Sequence, residues 1–437
     1  MNAGMHTNET TFETETAAEM DASHETGPSD EMGMPPMPPG MFNPFTPGFD
    51  ESPYEHYREM RDLLPVQEHP LGVWFVSRYA DVSALLRDAR LSASEENIAP
   101  GPMRDQFEQI VVNSPVKLVT MMDSDPPDHT RLRSLVGKVF SPRSIAALEP
   151  MVVELVDQLL DRIADARSVN LIDAFAFPLP FAVISKMLGM PDSMDTRRLL
   201  ELTETMVLAL EPVDDPEVMK KIVRANVELC EMMRDAIVWK RKNPADDLLT
   251  GLLQAAHNGD FLSEDELVAQ VLLLYIAGHH STYNLMGNGI TALLRHPDQH
   301  ALLRANPDLI GNAVEEFLRY DSPTHQTRRI TVAPYTIGDK EIPPGAMIIA
   351  LLGSANRDER MFGPDADVLR LDRELAHHHV TFSVGLHHCL GSALARLEGR
   401  VAIGRLVNRF PKLALSGPVR WNGRMNMRGA TDIPVSV

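Results

Sequence analysis

Only two cysteines, Cys230 and Cys389, occur in 437 residues. They lie far apart and in no CxxC arrangement, which argues against a disulfide scaffold or a structural zinc site and fits a reducing, cytoplasmic setting. Basic residues are missing from the start of the chain: none precedes Arg58, whereas 11 acidic residues fall within 1–57. The formal charge of −20 is thus only −9 over the remainder. With a pI near 5.2, nucleic acid and anionic membrane surfaces are poor partners, because phosphate binding needs clustered Lys and Arg. Long apolar runs are also missing. The most apolar stretch, 271–278, is too short to span a bilayer and leads straight into His279, His280 and Ser281. No basic-then-apolar start marks a secretory signal, and no glycine-rich fingerprint follows a strand to bind a dinucleotide.

At 44% hydrophobic residues the chain can bury a large core. Residues 1–42, rich in Glu, Thr, Met and Pro, lack apolar periodicity and are expected to form a disordered acidic tail before a domain over 43–437. The domain reads as mainly helical with a few short strands. Helices are predicted over 80–89, from Ser141-Pro142 toward Ala164, and over 181–188, 195–210, 216–241 and 390–410; strands fall over 73–76, 330–331, 335–337 and 347–352. The longest helix starts at Ser263, with Glu266 three residues on as a capping box, and can run to His296 before Pro297. That length, on the order of 50 Å, could cross the whole domain. Its middle holds Ala277-Gly278-His279-His280-Ser281-Thr282, where a glycine marks close packing or a ligand near the backbone.

The most informative segment is Phe382-Ser383-Val384-Gly385-Leu386-His387-His388-Cys389-Leu390-Gly391. An iron-binding thiolate needs donors and partial positive charge, and a helix N-terminus supplies both. Cys389 sits just before such a helix, and Gly385 and Gly391 let backbone come close to sulfur and macrocycle. Cys230, on an ordinary amphipathic helix, reads instead as a buried small hydrophobe. The spacing F-x-x-G-x-H-x-C-x-G has a chance expectation on the order of one in a thousand or below. Zinc held by His387, His388 and Cys389 is disfavoured, since three adjacent residues cannot easily present three ligands tetrahedrally and no second ligand pair has suitable spacing. The segment resembles the haem-binding loop of the cytochrome P450 family.

Further motifs fall in that family's order across residues 129–391. Glu316 and Arg319 share one helical face and can form a bidentate pair; the resemblance makes them the lock on the cysteine loop. His129 and Arg133, four positions apart, suit a grip on a carboxylate; the resemblance assigns them to a haem propionate, with Arg329 and His387 on the other and Arg328 as the neighbouring alternative. It covers roughly 45–437 and implies a mainly α, triangular single domain with a small β region. It also implies haem b ligated by Cys389, flanked by Phe382 and Gly391, with Ala277 and Gly278 on the long helix across the haem. Axial thiolate donation favours O–O cleavage and oxygen insertion into unactivated C–H bonds.

The chain departs from the family on the long helix, where A-G-x-(D/E)-T-T is usual. Here His280 takes the acidic position and Ser281 the first threonine, so both halves of the proton relay are altered. Hydroxylation or epoxidation with His280 and Ser281 delivering protons is one reading. A coupling or ring-forming outcome without oxygen retention is another, and a non-catalytic haem-binding helper is a third. The resemblance places the pocket at 92–122, 206–211 with Met219, 273–277, 323–326 and 425–427, rich in Met and aliphatic residues that suit a sizeable apolar natural product. Besides substrate and O2, a ferredoxin-type donor with its reductase is expected, docking near Arg131, Lys138, Arg396 and Arg400. No nucleic acid or membrane partner is expected, and the protein should be a monomer.

Overall fold

The computed structural model describes residues 37–437, apart from 117–118, 139 and 258–259. Most of the expected acidic tail lies outside the described residues. Packing begins before the expected boundary at 43, since one compact unit runs from Pro38 to Val437. Phe42 is only 2% exposed and meets Phe75 at 4.4 Å between ring centroids. Burying a Phe contributes about 1.5–3 kcal/mol, which offsets the ordering of about one or two residues.

The long helix forms as its capping box requires. Ser263 Oγ accepts from Glu266 N at 3.3 Å and Glu266 Oε2 accepts from Ser263 N at 2.8 Å. The helix spans Glu264–Arg295 and stops at His296, ahead of Pro297. From Leu267 onward it is buried on nearly every side, as a helix apolar all round must be. Helices Pro178–Leu188, Pro216–Lys242, Ile310–Tyr320 and Ser392–Arg409 pack against it. One predicted helix is corrected: the stretch opening at Ser141 breaks into Pro142–Ala146 and Glu149–Ile163. Pro150 explains the break, because proline has no N–H and is tolerated only in a helix's first turn.

The β region is small. Its largest sheet has five strands in the order Val66–Glu68, Val73–Val76, Met347–Leu351, Gln326–Thr331 and Leu91–Ser92. Met347 pairs in parallel with Val73 on one side and antiparallel with Ile330 on the other. Arg328 and Arg329 therefore lie on a central strand and, as consecutive residues, point to opposite faces.

Candidate active site

The cysteine loop is held by its own backbone. Cys389 N donates to Phe382 O at 2.8 Å and His388 N to Gly385 O at 3.2 Å. Gly385 has φ +79°, and a Cβ there would lie 2.6 Å from Leu86 O, so only glycine fits. Ser383, at φ 57°, is the one non-glycine with positive φ among the described residues, a strain of about 1–2 kcal/mol held at this loop. The helix that follows starts at Ser392, with Gly391 as its N-cap. A Cβ on Gly391 would meet nothing within 4 Å, so the space beside the loop is open.

Cys389 is exposed, yet burial raises its thiol. A thiol that is accessible and also desolvated lines an interior space rather than bulk solvent. The backbone N–H groups of Gly391 and Ser392 and the guanidinium groups of Arg133 and Arg396 act the other way without overcoming burial. The sulfur stays protonated unless a metal takes it, because a coordinating thiol is deprotonated outright. Cys230 is buried on Pro216–Lys242, and burial pushes its thiol up to about 11. Among the described residues, the one cluster of three side chains able to share an ion does not include Cys389, His387 or His388.

Beside the loop stand four basic side chains. His129 and His387 have ring centroids 4.3 Å apart, and Arg133 donates to His388 O at 2.6 Å. Burial, Arg329, His129 and Arg133 together push His387 down to about 3. Arg329 is 4% exposed, and burial lowers it to about 10. Both ring nitrogens of His129 and Nη2 of Arg329 are buried without a hydrogen-bond partner. Such orphaned donors in a positive surround call for carboxylates, as two porphyrin propionates would supply. The two neighbouring arginines differ in their partners. Arg328 is spent on Glu95 and on Asp123 at 3.0 Å, on the other face of the strand.

Glu316 and Arg319 meet as expected, both 0% exposed, through two bonds of 2.7 and 2.8 Å. Arg319 also donates to Asn356 O at 2.9 Å and Ala366 O at 2.7 Å. Asn356 Oδ1 accepts from Val380 N at 2.7 Å, and its Nδ2 donates to Thr381 Oγ1 at 2.8 Å. The pair is thus tied by hydrogen bonds to the strand of chain that enters the cysteine loop. Phe382 supplies the carbonyl that holds Cys389 N and lies under Arg396, 4.6 Å from the ring.

On the long helix, Ala277 is exposed and Leu273 and Ser281 half-exposed within an otherwise buried stretch. Positions i, i+4 and i+8 share a face, so this stripe lines interior space. Ser281 Oγ donates to Ala277 O at 3.2 Å. At Gly278 a Cβ would sit 3.1 Å from Ile184, so its missing side chain allows close helix packing there, the first of the two readings of a glycine in this helix. His280 turns away from the stripe. It is 1% exposed, and its Nδ1 lies 3.3 Å from Glu204 Oε1 on helix Thr196–Val207. Burial, then His279 and Arg424, hold its imidazole well below the usual histidine range.

The pocket stretches converge around a residue the sequence left unsingled. Glu211 accepts from the backbone N of Met425 at 3.1 Å and of Asn426 at 3.0 Å, while Gln106 donates to its carbonyl at 3.1 Å. Asn426 O in turn accepts from His325 N at 2.8 Å. Sequence reasoning also missed Glu204, Arg424 and Asn356, which carry no local motif. The expected docking patch is altered. Arg131 is paired with Glu266, Arg396 with Glu315 through bonds of 2.6 and 2.9 Å, and Arg400 with Glu149 at 3.1 Å. These arginines are drawn into ion pairs and offer less free positive charge than their count suggests.

Comparison with known proteins agrees with this geometry. Residues 70–417 match the family described as cytochrome P450. The chain is 41% identical over 408 residues to Cytochrome P450 107B1 of Saccharopolyspora erythraea, covering 90% of this chain and 96% of that one. It is 39% identical over 401 residues to the vitamin D(3) 25-hydroxylase of Pseudonocardia autotrophica, covering 90% and 96%. Among solved structures, a myxobacterial cytochrome P450, CYP267B1, in complex with myristic acid superposes with a TM-score of 0.82 at 35% identity, covering 90% of this chain and 98% of that one.

Proposed function

This chain belongs to the cytochrome P450 family, and from that premise we propose that it hydroxylates or epoxidises a sizeable apolar natural product. It is an oxidoreductase of the monooxygenase class. The observation that carries the reading is Cys389: a lone accessible thiol on an interior space, beside basic groups with unpaired donors. Cys389 would ligate the iron of haem b. Arg133, Arg329, His129 and His387 would hold the propionates, and Phe382 and Gly391 would flank the ring. When bound, the haem supplies reduction of dioxygen and transfer of one oxygen atom to substrate.

The remaining roles belong to the chain itself. Glu316 and Arg319 fix the backbone that enters the cysteine loop. Ala277, with only a methyl group, leaves room for substrate on the long helix. Ser281 presents a hydroxyl beside it, and His280, neutral in its buried setting, passes protons behind it. The apolar natural product is supported by the Met-rich stretches that Glu211 gathers and by relatives that are a vitamin D(3) 25-hydroxylase and a fatty-acid complex. Electrons come from a ferredoxin-type donor with its reductase, and the protein works as a cytoplasmic monomer. No helix among the described residues is long and apolar enough to cross a membrane.

The absorption spectrum of the reduced, carbon monoxide-bound protein tests the ligand directly. A Soret band far to the red of the histidine-ligated position is expected, and its absence overturns Cys389 as the axial ligand. Incubation with isotope-labelled dioxygen tests the reaction. Label in the product is expected; coupling or ring closure without label would replace hydroxylation.

A further inference from the structure

We propose that Glu204, His279 and His280 form a binding site for a divalent transition-metal ion, with zinc as its natural probe. Their ligating atoms all lie within 4.8 Å of one another. Tetrahedral zinc about 2.0–2.1 Å from each donor puts the donors roughly 3.3–3.5 Å apart. His280 Nδ1 and Glu204 Oε1 already stand at 3.3 Å. The rings of His279 and His280 lie 4.0 Å apart between centroids and are tilted by 40°, so a swing of His279 closes the set.

The hydrogen bonds show which lone pairs are free. His279 Nδ1 faces Tyr275 O at 2.8 Å, which makes Nδ1 the protonated nitrogen and leaves a lone pair on Nε2. A backbone carbonyl on the far nitrogen is the usual support of a metal-bound imidazole. Nε2 looks at Thr203 Oγ1, 3.4 Å away, but that hydroxyl donates to Leu200 O at 2.9 Å. His280 is 1% exposed, and neither of its ring nitrogens makes a hydrogen bond of good geometry. Two buried imidazoles with idle lone pairs are costly as they stand, and an ion would satisfy both. Burial holds His279 down at about 4, so protons compete weakly for the site at neutral pH.

Imidazole nitrogens select zinc, copper, nickel or cobalt over magnesium or calcium. Three protein ligands leave a fourth position open. One neighbour opposes binding: Arg424 lies 3.7 Å from Glu204 Oε2, the oxygen turned away from His280. Tyr283, 5.6 Å from the His280 ring between centroids, completes the titratable surround. The site joins the long helix to helix Thr196–Val207, so an ion there would pin the two together. It would also withdraw His280 from proton transfer, a consequence that rests on the relay reading above.

The test is calorimetric titration of the haem-loaded, chelator-stripped protein with Zn2+. The background carries His377→Asn and His378→Asn to remove an exposed pair whose rings lie 4.2 Å apart. One saturable site is expected, weakened at least tenfold by Glu204→Gln and strengthened several-fold by Arg424→Gln, with the haem spectrum reporting an intact fold. No saturable site, or an affinity within twofold in both Glu204→Gln and His280→Asn, overturns the proposal. Zinc-edge X-ray absorption in the same background needs no substitution at the site: two imidazoles and oxygen are expected, and a sulfur donor or a single imidazole overturns it. Zinc should also slow turnover with rising peroxide. Binding without slowing would refute the relay role of His280 and leave the metal site standing.

Discussion

Replacing Glu316 by Gln changes one oxygen to an amide in a cluster that no water touches. Glu316 Oε1 accepts from Arg319, from Arg370 N at 2.9 Å and from Arg373 Nε at 3.2 Å; Oε2 accepts from Arg319 Nε at 2.7 Å. Gln can keep the first set, but its amide then points a donor at the Arg319 donor. One charge-assisted bond is lost, and Arg319, 0% exposed, keeps its charge without a counter-ion, while Arg373 keeps only Asp365 at 3.0 Å. Breaking a buried pair this way costs about 3–5 kcal/mol. At about 2.1 cal/mol/K of unfolding entropy per residue, a chain of 437 residues shifts by about 1.1 °C per kcal/mol, and melting should fall by roughly 3–6 °C. Haem retention should fall with it, since Arg319 holds Asn356 and Asn356 holds Val380 and Thr381. Scanning calorimetry of the haem-loaded protein, paired with the reduced carbon monoxide spectrum, measures both. A shift under about 1 °C with haem retention unchanged would refute the claim that the pair locks the loop.

Three further outcomes are expected. Glu398 is buried with both carboxylate oxygens unpartnered, and burial holds its carboxyl well above the ordinary value of 4.5. The native state therefore keeps a proton that the unfolded chain loses, and stability drops as pH rises from 4.5 toward the native value, by at most about 1.4 kcal/mol per unit. Glu398→Gln should raise the melting temperature by an amount that grows between pH 5 and 8 in melts run in that range; a pH-independent gain would contradict this. Arg329→Ala should speed haem loss to apomyoglobin, whereas Arg328→Ala, which frees Glu95 and Asp123 instead, should not; equal effects would undo the assignment of the two faces. Ser281→Ala should divert electrons from product to peroxide, measured as the ratio of the two per electron pair, and an unchanged ratio would make that hydroxyl dispensable.

What could be read from the chain was whatever is local in it. The cysteine loop is ten consecutive residues, Glu316 and Arg319 share one turn of helix, and Ser263 with Glu266 caps the long helix at both ends of one hydrogen-bonded box. Spacing of a few residues fixes such geometry because helix periodicity does. Pro150 was equally visible as a helix breaker, yet the periodicity on either side of it hid the break. Gly278 shows the limit from the other side: a glycine in a helix signals close approach, but not what approaches, and here it is Ile184.

The sequence by itself therefore determined the class of the protein and the pairing of Glu316 with Arg319, because those depend on neighbours along the chain. The tertiary structure alone decided that Arg328 pairs with distant Glu95 and Asp123 while Nη2 of Arg329 stays buried without a partner, since strand faces alternate. It likewise decided that Arg131, Arg396 and Arg400 of the expected docking patch are tied to carboxylates, and that His280 meets Glu204 rather than the open stripe. Those partners come from remote segments, and only folding brings their charges within range.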